Sequence, residues 1–362
     1  MNKLNKMNTT ESAAYTLSSL YKQHGYLPFK MSRFEEYELY VRNKEFLVSD
    51  NVITFNDTDG RLLALKPDVT LSIIKNAVAE PGCKQRVYYS ENVYRVSHKT
   101  HNFKEFMQVG LECIGDTDIY DIYEAIYLGA ESLSLFPRRF AMDISHLGIL
   151  SRVLSFACDD VCFIKEATKL VSEKNKHGLA SLTASYGISA ENAARVAAFA
   201  DMYGDAEGIL VRLLPICEAV GALSEYEELK QLCYLIGKTH FADRIKIDFS
   251  VVNDMNYYNG IVFVGFLDGI FEGVLSGGEY GKLTSRMGKA AGAVGFAIYL
   301  DLVEDSFMPT TEYDVDVLIL YDEATDAEKL ILTKEKILSE GRSVSLQRAV
   351  PKKLRYKEVI KI

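Results

Sequence analysis

Residues 86–95 (Arg-Val-Tyr-Tyr-Ser-Glu-Asn-Val-Tyr-Arg) and 106–112 (Phe-Met-Gln-Val-Gly-Leu-Glu) leave this chain little choice of local structure. Both runs alternate bulky and polar side chains, which is the period of a strand. The polar segment between them carries His98, Lys99, His101, Asn102 and Lys104 and reads as a hairpin loop. Arg95 closes the first strand and points a fixed cation under that loop. On the second strand Gln108, Gly110 and Glu112 share one parity, so an amide and a carboxylate face the same way with no side chain between them. Such a face suits a small amine: the carboxylate takes the ammonium and the amide fixes orientation. An ordinary strand pair with one solvated face has the same alternation. The rest of the chain decides between the two.

At 362 residues the chain is long enough for two or three domains. Its net charge of −9 argues against a broad nucleic-acid surface, which needs a basic field. Six cysteines are scattered with no disulfide framework, as expected of reduced cytosolic thiols. Cys158 and Cys162 sit among Phe156, Val161 and Phe163 and read as core residues rather than metal ligands. His98 and His101 have no ligand-spaced partners, so no metal is expected. Residues 1–10 are polar and read as no signal peptide, and the apolar run 290–300 is too short to span a bilayer. A cytoplasmic location without a membrane partner is the expectation.

Along the chain, helix signals cover 10–25, and strand signals cover 51–55 and 61–66 around an Asp59-Gly60 turn. Pro67-Asp68-Val69-Thr70 opens a helix to about Val78, and Asp68 and Thr70 can serve that start alone. A helix over 119–134 and a strand over 139–144 follow. From 146 to 240 Leu, Ala, Glu and Lys dominate, glycines punctuate, and no strand is predicted. Strands return at 245–252, 261–266 and 270–275. Ser276-Gly277-Gly278 reads as a tight turn and 292–303 as a closing helix. A short β-α-β pattern ends the chain. Hairpin-linked strands with helices between them predict an α+β fold around an antiparallel sheet. Its parts would be a core from 1–145 and 241–310, a helical insertion over 146–240, and a tail over 312–362. No glycine-rich dinucleotide fingerprint or Walker loop occurs, so no cofactor is expected.

Four strings then stand in order: Leu65-Lys66-Pro67-Asp68-Val69-Thr70, the Arg95 hairpin with Gln108 and Glu112, Asn256-Tyr257-Tyr258-Asn259-Gly260, and Ser276-Gly277-Gly278-Glu279-Tyr280. Together they resemble the catalytic core of the histidyl-tRNA synthetase family. There the corresponding strings are Leu-Arg-Pro-Glu-Gly-Thr, Phe-Arg with Gln-x-Gly-x-Glu, Val-Arg-Gly-Leu-Asp-Tyr-Tyr, and Ser-Gly-Gly-Arg-Tyr-Asp. The resemblance spans roughly residues 10–305. It implies a class II aminoacyl-tRNA synthetase-like antiparallel sheet flanked by helices. It also implies a histidine-binding set of Asp68, Thr70, Arg95, Gln108, Glu112, Tyr257 and Tyr258.

The departures from that pattern carry as much information. Asn253 stands where the family has the Val-Arg-Gly arginine, and Leu302 where its third class II motif ends in arginine. Glu279 and Gly281 replace the Arg and Asp of Ser-Gly-Gly-Arg-Tyr-Asp, and Ser32 replaces the first motif's proline. Removing one arginine from phosphoryl chemistry costs on the order of 10³ to 10⁵ in rate. The chain is therefore expected to bind histidine without making an adenylate, and to have no catalytic residues of its own. Some fifty residues follow position 312, about half an anticodon-binding domain, so no tRNA partner is expected. With these losses the chain resembles the regulatory subunits of ATP phosphoribosyltransferase, a relative of this synthetase core. That resemblance implies a short catalytic partner, a homodimer paired through residues near Tyr37, Leu39 and Tyr40, and histidine feedback on the first step of histidine biosynthesis. The alternatives are a degenerate histidyl ligase, or a histidine sensor with a different partner.

Overall fold

The computed structural model describes residues 9–44, 52–78, 80, 82–96, 102–252, 258–303 and 313–362. The chain forms two compact units, Ala14–Ser306 and Phe307–Ile362 together with Met1–Ala13. In chain order the elements before the insertion are α1 (Thr9–Gln23), β1 (Leu27–Pro28), β2 (Phe34–Glu36), α2 (Tyr37–Arg42), β3 (Thr54–Asn56), β4 (Leu62–Leu65), α3 (Thr70–Asn76), β5 (Lys84–Val96), β6 (Phe103–Gly115), α4 (Ile119–Ser134) and β7 (Phe140–His146). Helices α5 (Leu147–Ala157), α6 (Val161–Ser172), α7 (Lys176–Ser185), α8 (Ala190–Ala198), α9 (Ala206–Val220) and α10 (Leu223–Ile236) follow, with the two-residue β8 (Tyr203–Gly204) among them. The sheet then resumes with β9 (Ile245–Asp248), β10 (Ile261–Leu267), β11 (Leu275–Glu279) and β12 (Gly292–Tyr299), and α11 (Gly281–Arg286) lies between the last two.

The main sheet has nine strands in the order β1-β5-β6-β12-β11-β10-β7-β9-β8. All its pairs are antiparallel except β1–β5 and β7–β9. Alternation along β5 and β6 assigns every side chain to one of two faces. On the back, Tyr21 packs edge-on to Phe296, with ring centroids 5.8 Å apart, and its hydroxyl meets Ser132 Oγ of α4 at 3.0 Å. On the front, Val87, Tyr89, Val93, Ile114 and Ala293 join Leu71, Ile73 and Ile74 of α3 in one buried cluster. A small antiparallel sheet, β2-β4-β3, stands beside it. At the end of β4, Lys66 is fully buried, and its ammonium donates to Glu91 Oε2 of β5 at 2.5 Å.

The second unit carries β13 (Val315–Leu320), α12 (Ala327–Ser339), β14 (Val344–Gln347) and β15 (Tyr356–Lys361). Its sheet is parallel throughout, ordered β14-β13-β15, and Val317, Ile319 and Ile337 form its core. A β-α-β reading misses β15.

Further segments differ from the sequence reading: the strand expected at 270–275 begins only at Leu275, and β8 interrupts the stretch read as wholly helical. Residues 292–299 form a central strand rather than a helix. Val294, Phe296 and Ile298 lie on its back, Gly295 and Ala297 on its front, and a strand apolar on both faces has no alternation to read. Ser276, Gly277 and Gly278 lie inside β11 rather than in a turn, because the glycines meet packed neighbours on both sides. Cys158 ends α5 and Cys162 lies exposed in the first turn of α6, where Asp160 caps the helix through the Cys162 and Phe163 amides. They are not core residues. Among the described residues, no helix is long and apolar enough to cross a membrane.

Candidate functional site

The register brings the sequence-predicted groups to the centre of the sheet's front face. Glu112 lies opposite Val87 of β5 and Gly295 of β12; Gly110 lies opposite Tyr89 and Ala297; Gln108 lies opposite Glu91 and Tyr299. Ser276 and Gly278 of β11 continue the same face. The floor is thus made of very small residues, and the substitutions it forbids outline the hollow. A Cβ on Gly295 would fall on the Glu112 carboxylate, and one on Gly278 would come within 2.9 Å of the Tyr258 ring. A Cβ on Gly110 would strike the Phe296 carbonyl and approach the Tyr89 hydroxyl at 2.7 Å.

Glu112 is only 2% exposed. Thr70 Oγ1 donates to its Oε1 at 2.9 Å, and Tyr280 Oη donates to its Oε2 at 2.5 Å. Burial pushes the carboxyl up to about 8; the two hydroxyl donors oppose that rise and nearby Asp68 adds to it. Asp68 and Thr70 sit where β4 hands over to α3. The Asp68 carboxylate accepts the Leu71 amide at 3.0 Å, so it does serve the helix start, while burial still raises its pKa against the pull of Arg95. Arg95 is anchored by donating Nε–H to the Pro67 carbonyl at 3.0 Å. Tyr258 is half-buried and bonded to Ser276. Burial raises its phenol well above the ordinary value, with Tyr299, Glu112 and Asp68 adding to the effect.

Six of the seven expected residues are therefore assembled: Asp68, Thr70, Arg95, Gln108, Glu112 and Tyr258. Tyr257 lies outside the described residues, as do Asn253, His98 and His101. Three tyrosines escaped the sequence reading. Tyr280 holds the key carboxylate and was signalled by its place in the Ser-Gly-Gly-Glu-Tyr string. Tyr89 was signalled by strand parity, once Gly110 is known to lie opposite. Tyr299 carried no signal while its segment read as helix.

Glu279 and Leu302 stand at two of the departures from the synthetase pattern. Glu279 is half-buried, and its Oε2 accepts the Ile261 amide at 2.7 Å. Burial lifts this carboxyl to about 7, Glu228 adds to the rise, and His146 opposes it. Leu302 ends a short 3-10 turn after β12 as a half-buried aliphatic side chain. A pocket with these groups can pair a cationic, hydrogen-bonding small molecule. It lacks the arginines that would neutralise a triphosphate at these two positions.

A nine-stranded antiparallel-rich sheet flanked by helices, with this floor and rim on its front face, is the core of a class II synthetase-like fold. The histidyl-tRNA synthetase family model matches residues 4–303. An ATP phosphoribosyltransferase regulatory subunit from Caldanaerobacter subterraneus subsp. tengcongensis is 31% identical over 294 residues, 78% of this chain and 75% of that one. By that identity and coverage the chain belongs to the family of ATP phosphoribosyltransferase regulatory subunits. A Bacillus halodurans C structure described as an ATP phosphoribosyltransferase regulatory subunit/histidyl-tRNA synthetase shares the fold with a TM-score of 0.84. It is 22% identical, and the match covers 98% of this chain and 93% of that one. A chain of the ATP phosphoribosyl transferase (HisG:HisZ) complex from Thermotoga maritima matches with a TM-score of 0.63 at 20% identity, covering 80% and 97%.

Proposed function

We propose that this chain is the non-catalytic regulatory subunit of an ATP phosphoribosyltransferase. It docks on a separate, short catalytic chain, is required for the first step of histidine biosynthesis, and passes the level of free L-histidine to that partner. The observation that carries the reading is the pairing of an assembled amino-acid pocket with a disabled phosphate side. Glu112, Thr70, Asp68, Gln108 and Tyr258 converge on one hollow, while Glu279 and Leu302 occupy two arginine positions of the synthetase pattern. In this reading Glu112 takes the cationic end of histidine, Asp68 and Gln108 orient it, and Arg95 faces its carboxylate.

The chain acts as a homodimer in this proposal, but through different side chains from those the sequence suggested. Tyr40 is fully buried, and Tyr37 and Leu39 pack against the same core. The apolar surface of the small sheet is instead Phe34, Phe55 and Leu62, which are 47%, 39% and 45% exposed.

The deciding experiment mixes this chain with a short-form catalytic subunit and follows phosphoribosyl-ATP formation. Turnover is expected only from the mixture, and histidine is expected to lower it. Product from this chain alone, or no change on mixing, overturns the assignment. The degenerate-ligase reading predicts histidine-dependent exchange of pyrophosphate into ATP, whereas the regulatory reading predicts none.

A further inference from the structure

We propose that the chain carries a second site, for a compact diphosphate, free or on a nucleotide, at the opposite end of β7 and β10 from Tyr258. A cleft of about 520 Å³ opens there, within the range of small-molecule sites. Its lining includes Arg138, Arg139, Arg244 and His240 and contains no carboxylate. That is unusual in a chain with 50 acidic residues against 41 basic ones. Elsewhere exposed arginines find acids, as in Arg152–Glu225, Arg348–Glu323 and Arg355–Asp314. Among the described residues the three cleft arginines enter no ion pair.

They are positioned by neutral contacts instead. Arg138 Nη1 donates to the Asp268 carbonyl at 2.7 Å. The Arg244 head lies over the Phe140 ring, 5.1 Å from its centroid. His240 stacks against Phe241 with ring centroids 3.8 Å apart. Arg139 is exposed. Asp243 adjoins Arg244 in sequence and Asp268 meets Arg138 and Arg139 through its backbone, but neither lines the cleft. Guanidinium forks match phosphate oxygens in pairs, so several forks facing one space call for a ligand with several such oxygens. The aromatic rings underneath are buried, with Phe136, Phe140 and Phe241 at 4%, 7% and 5% exposed, which leaves no open face for a base to stack on. Recognition therefore rests on the phosphates.

Calorimetric titration of the full chain with sodium pyrophosphate, ATP and adenosine, without divalent cations, tests this. Pyrophosphate and ATP are expected to bind within about fivefold of each other and adenosine not at all. The affinities are expected to weaken at least tenfold in Arg139→Ala/Arg244→Gln and to fall as sodium chloride rises. Arg138 is left intact because it also holds the β10–β11 connection. If the double variant melts differently from the parent, Arg139→Ala alone, on an exposed side chain, decides with an expected loss of at least threefold. No heat from pyrophosphate at 5 mM, ATP binding ten or more times tighter than pyrophosphate, or unchanged affinity in the variant that folds would each overturn the proposal.

Discussion

At Glu112 a carboxylic acid is kept among hydroxyl groups, and burial favours its protonated form. Its ordinary value is 4.5 and burial lifts it to about 8. Between those values the folded chain holds a proton that the unfolded chain has released. This contribution to stability is fully present below about 4.5 and is lost as pH rises through 8. Melting curves from pH 5 to 9 should show that decline, and Glu112→Gln should flatten it. The same substitution keeps the shape but removes a carboxyl group that can ionise against a bound cation, so it should also abolish most of the melting shift caused by millimolar histidine. A ligand at roughly 100 times its dissociation constant gives about 2.7 kcal/mol to shift with. Gly295→Ala tests the hollow from below. Its methyl group falls on the Glu112 carboxylate, so histidine binding should vanish and unfolding free energy should drop by about 1–3 kcal/mol in a denaturant titration.

At the scale of elements, the small β2-β4-β3 sheet presents Phe34 and Phe55 edge to face, 5.8 Å apart, on its exposed side. Phe55→Asp should convert a dimer to monomers in sedimentation at micromolar concentration and leave the histidine melting shift in place. A dimer unaffected by this change would move the proposed interface elsewhere. The hairpin β5–β6 was legible because one of its faces is polar along Gln108, Gly110 and Glu112, and parity alone placed the amide and carboxylate together. The centre of the sheet was not legible. There β11 and β12 are covered on both sides, and Gly277 and Gly278 mimic a turn in sequence while they serve close packing in space. The tail was read one strand short because β15, with Lys357, Glu358 and Lys361, alternates too weakly to stand out.

For the whole molecule, the chain divides into two compact units, and the last fifty or so residues belong to a different unit from the candidate histidine pocket. Every described pocket residue lies within Ala14–Ser306. A chain ended after Ser306 should therefore keep the histidine-dependent melting shift, and loss of the shift on truncation would show that the pocket depends on the second unit.

The strand order has a consequence in time. β6 pairs with β5 from the outset, but its other neighbour, β12, is synthesised only after the whole helical insertion, roughly 175 residues later. At about 5–20 residues per second a ribosome needs on the order of ten to thirty-five seconds to deliver it. During that interval β6 is an open sheet edge in the nascent chain, the kind of edge that recruits wrong partners. Charges on an unpaired strand blunt such an edge, and Glu112, whose ordinary value is 4.5, lies on β6 where Gly295 of β12 will later pair.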